Sequence, residues 1–219
     1  MISSRSPRRY RGRAAWRSGT YFATATLLIA TPAPALAHKF GVGQDAYEDF
    51  LSGNQAVFSD IPVLLLMVAA GLLSGIWKQD GFPSLWPFYL GGIVAGAMLG
   101  LWGVVPPTLP AYGAVIATGL LGAAALRMPT TLMRGIIAVI GVIAANAVLS
   151  GHLISEISPF AYLGIAFALN VGIAVSAGVV AISREKLPYN WVVIAWRAGT
   201  SWLVAIAVMA MVLMMKAAA

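Results

Sequence analysis

The sequence predicts an all-α polytopic membrane protein, a six-transmembrane-helix bundle that follows a cleavable signal peptide. Hydrophobic residues make up 60% of the 219 residues and charged residues only 10%, a balance typical of integral membrane proteins. Past residue 60 the apolar residues form separate segments of about 20 residues, the length that crosses a bilayer as a helix. The chain has no cysteine, which excludes disulfides, thiolate metal sites and a thiol nucleophile.

Residues 1–37 have the three parts of a secretory signal peptide. The arginine-rich stretch MISSRSPRRYRGRAAWR precedes a short apolar stretch, TYFATATLLIATPAP, and ALA precedes His38. An uncleaved first transmembrane helix is less favoured, because the apolar stretch is short and contains Pro32 and Pro34. Cleavage removes six arginines, and taking these from the formal charge of +7 leaves about +1. The basic charge therefore does not indicate nucleic-acid binding, and no nucleic-acid partner is expected.

The rest of the chain divides into a periplasmic N-terminal segment, 38–59, and a six-helix transmembrane domain, 60–216. The connections between the apolar segments are short and rich in Pro, Gly and polar residues, as turns between helices are. The predicted helices span 61–77, 85–105, 110–126, 132–150, 158–182 and 191–215.

The basic residues predict the orientation of this domain in the lipid bilayer. Cleavage leaves His38 outside, so the first, third and fifth connections are expected to be cytoplasmic. They hold Lys78, Arg127, Arg184 and Lys186, in agreement with the positive-inside rule. We expect a protein of the bacterial inner membrane with both mature termini in the periplasm.

Small residues recur four apart on two of the predicted helices, where they let helices approach closely. We expect these two helices, the second and the fifth, to be central. The residues are Gly92, Gly96 and Gly100 on the second and Ala168, Gly172 and Ser176 on the fifth.

Few polar residues lie at the ends of the predicted helices. Asp60 precedes an apolar run with Pro62 near its start, which favours a helix N-cap; a part in a cation site is the alternative. His152 and Glu156 lie in the loop SGHLISEISP, spaced so that one helical turn would bring them to the same face. Solvated loop side chains are the simpler interpretation of that pair.

Three polar residues lie inside the predicted helices. Asn146 and Asn170 are expected to form hydrogen bonds between helices. Arg197 lies about two turns into the last helix, where a charge either extends to the membrane surface or has a functional partner. Extension to the cytoplasmic surface is the favoured interpretation.

The chain contains no nucleotide-binding loop, metalloprotease helix or nucleophile elbow. We therefore expect no enzyme. Two classes of function remain: a secondary permease or channel, and a non-transporting structural or assembly subunit of a membrane complex.

Two polar motifs resemble those of the HupE/UreJ family. The first family motif is a histidine, five residues, then Asp-His at the start of a helix, and NQAVFSDIPVLLLM has this frame. Asp60 is retained, whereas Asn54 and Ile61 stand in place of the histidines.

The second family motif, Phe-His-Gly and Ala-His-Gly before a glutamate, is similar to LSGHLISE at the end of the fourth predicted helix. Gly151 matches, whereas Leu149, Ser150 and Ile154 replace the aromatic residue and the histidines, and Glu156 is displaced by one position.

The resemblance implies handling of a divalent cation of the nickel or cobalt class as substrate, and a metalloenzyme maturation system as partner. The metal ligands that it leaves are Asp60, His152 and Glu156, with Asn54 as a weak oxygen ligand. If instead the protein is an assembly subunit, a membrane complex is the expected partner and these ligands are not needed.

Overall fold

The computed structural model describes residues 45–78, 81–101, 108–152, 156–187 and 189–218. The predicted signal peptide lies outside the described residues. Within these residues the regular elements are seven α-helices: α1 (Ala46–Ser59), α2 (Ile61–Trp77), α3 (Gly81–Leu101), α4 (Thr108–Ala124), α5 (Thr130–Leu149), α6 (Pro159–Lys186) and α7 (Asn190–Ala218).

Each of the six predicted apolar segments corresponds to one helix from α2 to α7. By length and composition α3, α5, α6 and α7 could each cross a membrane, and the bent pair α1 and α2 adds a fifth candidate span. Helix α4 is apolar but has only 17 residues. The described part of the chain is therefore that of an all-α membrane protein with four or five candidate spans.

Helix α1 lies within the segment that the sequence analysis placed ahead of the transmembrane domain. Its axis turns by 78° at the junction with α2. The face with Gly53, Ala56 and Val57 is buried, and the Phe50 ring lies 5.6 Å from the ring of Phe167 on α6. Helix α1 thus packs across the first turns of α6 and belongs to the bundle.

Helix α2 is the central helix of the bundle. It contacts α3, α4, α5, α6 and α7 as well as α1, and most of its side chains are buried, including Leu66, Met67 and Leu73. The expectation that the second and fifth predicted helices, α3 and α6, are central was wrong for α3, which packs chiefly on α5. Glycines indicate that a face is closely packed, but they do not indicate how many neighbours a helix has.

The predicted small-residue faces are packed inside the chain. An added Cβ at Gly92 or Gly96 would collide with the backbone of α5, at Ala138 and Val142. On α6, an added Cβ at Gly172 would meet the side chain of Met67 on α2. Further along the same pair, an added Cβ at Gly75 on α2 would meet Val180 on α6. The numbers of the contacting residues thus rise together in both pairs, so α3 runs parallel to α5 and α2 runs parallel to α6.

Most of the Lys and Arg side chains of the described residues lie at one end of the bundle. The carboxyl ends of α2, α4 and α6 meet there with the amino ends of α5 and α7, and Trp77 Nε1 donates to the carbonyl oxygen of Met128 at 2.9 Å. We call this the basic end. It holds every Lys and Arg of the described residues except Lys216: Lys78, Arg127, Arg134, Arg184, Lys186 and Arg197.

Candidate functional site

Asp60 joins α1 to α2 and caps α2. Its backbone is extended, and its side chain accepts a hydrogen bond from the Val63 backbone N–H at 3.1 Å. Pro62 stands in the first turn, where no backbone donor is required. The predicted N-cap is confirmed, and it fixes the carboxylate at the sharp bend between the two helices.

His152 reaches the same place from the end of α5. Ser150 ends that helix in an extended conformation, and Gly151 follows with φ at +87°, a left-handed conformation that strongly favours glycine. This turn directs His152 toward the end of α1. Sequence reasoning matched Gly151 to a family motif, and the structure gives it a conformational role.

A cavity of about 310 Å³ separates the two chain segments. Asp60 and His152 both line it, so the structure brings together two of the predicted site residues. The full lining is Ala56, Ser59, Asp60, Ala147, Val148, Ser150 and His152. We call it the Asp60–His152 pocket. It combines one carboxylate, one imidazole and two hydroxyl groups with small apolar walls.

Tyr112 on α4 lies near Asp60, although it does not line the pocket. Its side chain is buried. The sequence analysis did not name Tyr112. A tyrosine one turn into a predicted span is common, and nothing in its sequence neighbourhood connects it to Asp60.

The other two predicted ligands do not line this pocket. Asn54 lies on α1 where its backbone packs close to Gly164 of α6, and Glu156 is exposed after the loop. Across the described ranges, no three His, Cys, Asp or Glu side chains come close enough together to hold a metal ion. The arrangement thus offers a cation two side-chain ligands, one carboxylate and one imidazole.

The structure adds two hydroxyl groups that the sequence analysis did not propose as ligands. Ser59 and Ser150 both line the pocket. Ser150 Oγ donates to the backbone and side-chain oxygens of Asn146, at 2.5 and 3.2 Å. Serines at helix ends usually form hydrogen bonds with the helix backbone, so the sequence gave no signal for Ser59. It singled out Ser150 only as the replacement of a family histidine.

The three intramembrane polar residues of the sequence analysis have different partners. Asn170 Oδ1 accepts from Trp86 Nε1 on α3 at 2.8 Å, which confirms the predicted bond between helices. The amide of Asn146 instead bonds Ser150 at the end of its own helix. Arg197 Nε donates to the carbonyl oxygen of Ala123 on α4 at 2.8 Å, so its guanidinium has a protein acceptor.

The fold and the pocket define an all-α membrane protein with a small polar cavity at the end opposite the basic end. No protein-family model, curated protein or solved structure matches this chain.

Proposed function

We propose that this protein is a HupE/UreJ-like protein of the bacterial inner membrane that takes up or delivers a divalent cation of the nickel or cobalt class. The observation that carries the proposal is the shared pocket of Asp60 and His152. Asp60 is the residue retained from the first motif of the resemblance, and His152, 92 positions later, lies in the stretch that resembles the second motif, at a position that varies in the family. The cation is the substrate, entering from the periplasmic side.

The packing of the helices supports six crossings. Parallel pairs α2 with α6 and α3 with α5, together with the contact of Arg197 with Ala123 in the antiparallel pair α4 and α7, are what six alternating spans require. Helices α2 and α4 have 17 residues each, the lower limit for a span. With a cleaved signal peptide and the basic end in the cytoplasm, both mature termini are periplasmic.

The donor set fits a transient site better than a permanent one. Nickel and cobalt accept imidazole nitrogen and carboxylate oxygen as ligands. One of each, with the hydroxyl groups of Ser59 and Ser150 beside them, leaves most of the coordination shell to water. A site of this kind binds weakly and releases its ion readily, as a transport or delivery step requires.

Two variants that each replace a candidate ligand test the proposal without disturbing the fold. Asp60→Asn keeps an N-cap residue of equal rank, and His152→Gln keeps a polar side chain. Both should lower Ni²⁺ or Co²⁺ accumulation by cells, and binding to the purified protein, by roughly tenfold. Glu185→Gln, which removes an exposed carboxylate at the basic end, is the matched control. Unchanged accumulation in both pocket variants would reject cation handling at this pocket.

The second candidate is a non-transporting structural or assembly subunit of a membrane complex. It is favoured by the lack of a three-ligand group among the described residues and by the exposed apolar surface of α7. Trp202 is 74% exposed on that helix, and an exposed apolar helix face in a membrane packs against lipid or against a partner helix. Loss of a copurifying membrane protein in Trp202→Ala, with normal metal accumulation in Asp60→Asn, would favour this candidate.

A further inference from the structure

An apolar groove lies between α4 and α5. Its volume is about 950 Å³, and it is open at the surface. Residues on its walls run from Pro110 to Leu121 on α4 and from Thr131 to Ile143 on α5. At about 1.5 Å per residue the groove is about 17 to 18 Å long, slightly more than one leaflet of a hydrocarbon core about 30 Å thick.

Both walls of the groove include glycine. Gly113 and Gly135 line it from opposite walls, and an added Cβ at either glycine would meet no atom within 4 Å. The two helices therefore stand apart along this face, and no side chain of the described residues fills the space between them. In a bilayer, acyl chains are the molecules that this surface meets.

A second cavity, of about 350 Å³, adjoins the groove at the basic end. Leu121 lines both cavities, and the second is closed by the carboxyl end of α2 and the connection from α4 to α5. Lys78 and Arg127 line it, and no carboxylate does among the described residues. An apolar groove about as long as one leaflet thus ends beside the side chains of Lys78 and Arg127.

The walls of the second cavity are held in place by specific contacts. Lys78 Nζ lies 4.4 Å from the centre of the Trp77 ring, a cation–π distance. The nitrogen of that ring donates to the Met128 carbonyl oxygen at 2.9 Å, which ties the connection to α2. One cation is therefore positioned beside the cavity rather than free to extend in any direction.

We infer that the groove and the basic cavity together bind one anionic phospholipid, with an acyl chain between α4 and α5 and the phosphate headgroup at Lys78 and Arg127. Charge complementarity selects the headgroup, because basic pockets at a membrane surface attract anionic lipids. The length of the groove selects a lipid over a free phosphate ion, which would leave the apolar walls uncovered.

Native mass spectrometry of the detergent-purified full chain tests this inference. Phosphatidylglycerol and phosphatidylcholine with identical acyl chains are the two probes. The wild type should retain phosphatidylglycerol over phosphatidylcholine by roughly tenfold, since each basic residue at an anionic surface contributes about fivefold at most. Lys78→Gln with Arg127→Gln should remove this preference. Lys186→Gln with Lys216→Gln, which removes the same charge elsewhere, should keep it.

A groove variant separates lipid binding from phosphate binding. Gly135→Leu places a side chain in the groove where an added Cβ meets no neighbour, so the fold is preserved while several-fold less phosphatidylglycerol is retained. Gly199→Leu, at an equally uncrowded glycine on α7, is the control. Equal retention of both lipids by the wild type would overturn the inference. So would binding of glycerol phosphate, which lacks acyl chains, at the affinity of phosphatidylglycerol.

Discussion

Arg197 Nε and the carbonyl oxygen of Ala123 lie 2.8 Å apart, joining the first half of α7 to the last turn of α4. The last four carbonyl groups of a helix have no N–H partner within the helix, and they carry the negative end of its dipole. A second arginine does the same elsewhere: Arg184 on α6 donates to the Gly75 carbonyl oxygen near the end of α2, at 2.5 Å. Two helices of the bundle thus end against a guanidinium group.

The contact predicts that Arg197 stabilises the fold. Arg197→Met should lower the free energy of unfolding by about 1 to 2 kcal/mol, because a half-buried carbonyl loses a charged donor. Arg197→Lys should lose part of that amount, since an ammonium lacks the planar donor set of the guanidinium. Thermal unfolding in detergent measures both changes.

Lys186→Met is the control for Arg197, because it removes an exposed cation at the same end of the bundle. It should leave the unfolding temperature unchanged. Equal stability of Arg197→Met and the wild type would contradict the capping role and restore the interpretation that this side chain only extends to the membrane surface.

The sequence showed that Arg197 needed an explanation but could not provide its partner. A charge two turns into an apolar segment is visible in the sequence, whereas a backbone carbonyl at a helix end has no sequence signal of its own. The same limit applies to Arg184, which the sequence analysis used only to orient the chain.

The glycine face of α3 predicts a contrast between two adjacent positions. Gly92→Ala should destabilise the protein by about 1 to 3 kcal/mol, the usual cost of overpacking, because the new methyl group would collide with the backbone of α5 at Ala138. Gly91→Ala should be neutral or slightly stabilising, since its Cβ would meet no atom within 4 Å and alanine favours helices. Denaturation of the two variants side by side measures the difference, and equal losses would contradict close packing of α3 on α5.

Apolar length was sufficient to predict six of the helices, because the length of a span follows from the thickness of the lipid bilayer. The helix ends were less predictable. Helix α3 begins at Gly81 rather than at residue 85, because Pro83 is tolerated in a first turn. Helix α6 continues to Lys186 beyond its apolar part. Helix α1 was not predicted, since its alternating polar residues give no signal for burial against another helix.

Asp60 allows its structural and chemical roles to be separated. Asp60→Ala should cost about 1 kcal/mol of stability, because it removes the acceptor for the Val63 backbone N–H. Asp60→Asn should cost only a few tenths of a kcal/mol, since asparagine is an equally good N-cap. Chemical denaturation checks these values. Equal destabilisation by the two substitutions would show that the charge, rather than the cap, is what the fold requires.

The candidate site was predictable only in part. Asp60 and His152 were both selected from sequence, and both line one pocket. Asn54 and Glu156 were selected by spacing along the chain, but α1 turns Asn54 toward α6 and the loop leaves Glu156 exposed. The spacing of a motif shows which residues lie on the same helix or loop. It does not show how the 78° bend between α1 and α2 places those residues relative to the rest of the bundle.

The last prediction concerns the histidines that the family resemblance leads one to expect. Four replacements would restore them, Asn54→His, Ile61→His, Ser150→His and Ile154→His, and position 154 lies outside the described residues. Among the other three, only Ser150 lines the Asp60–His152 pocket, whereas the side chain of Ile61 is 58% exposed.

Ser150→His should therefore raise Ni²⁺ or Co²⁺ affinity by about tenfold or more, because it adds a third nitrogen or oxygen ligand to the two residues already together. Ile61→His should give no gain, although it lies next to Asp60 in sequence. Binding to Ser150→His should weaken as the pH falls below about 6.5, where free imidazole takes up a proton and ceases to be a ligand. Isothermal titration in detergent at pH 7.5 and pH 5.5 compares the two variants. A larger gain in Ile61→His than in Ser150→His would mean that the cation site lies on the outer side of the α1–α2 bend, away from His152.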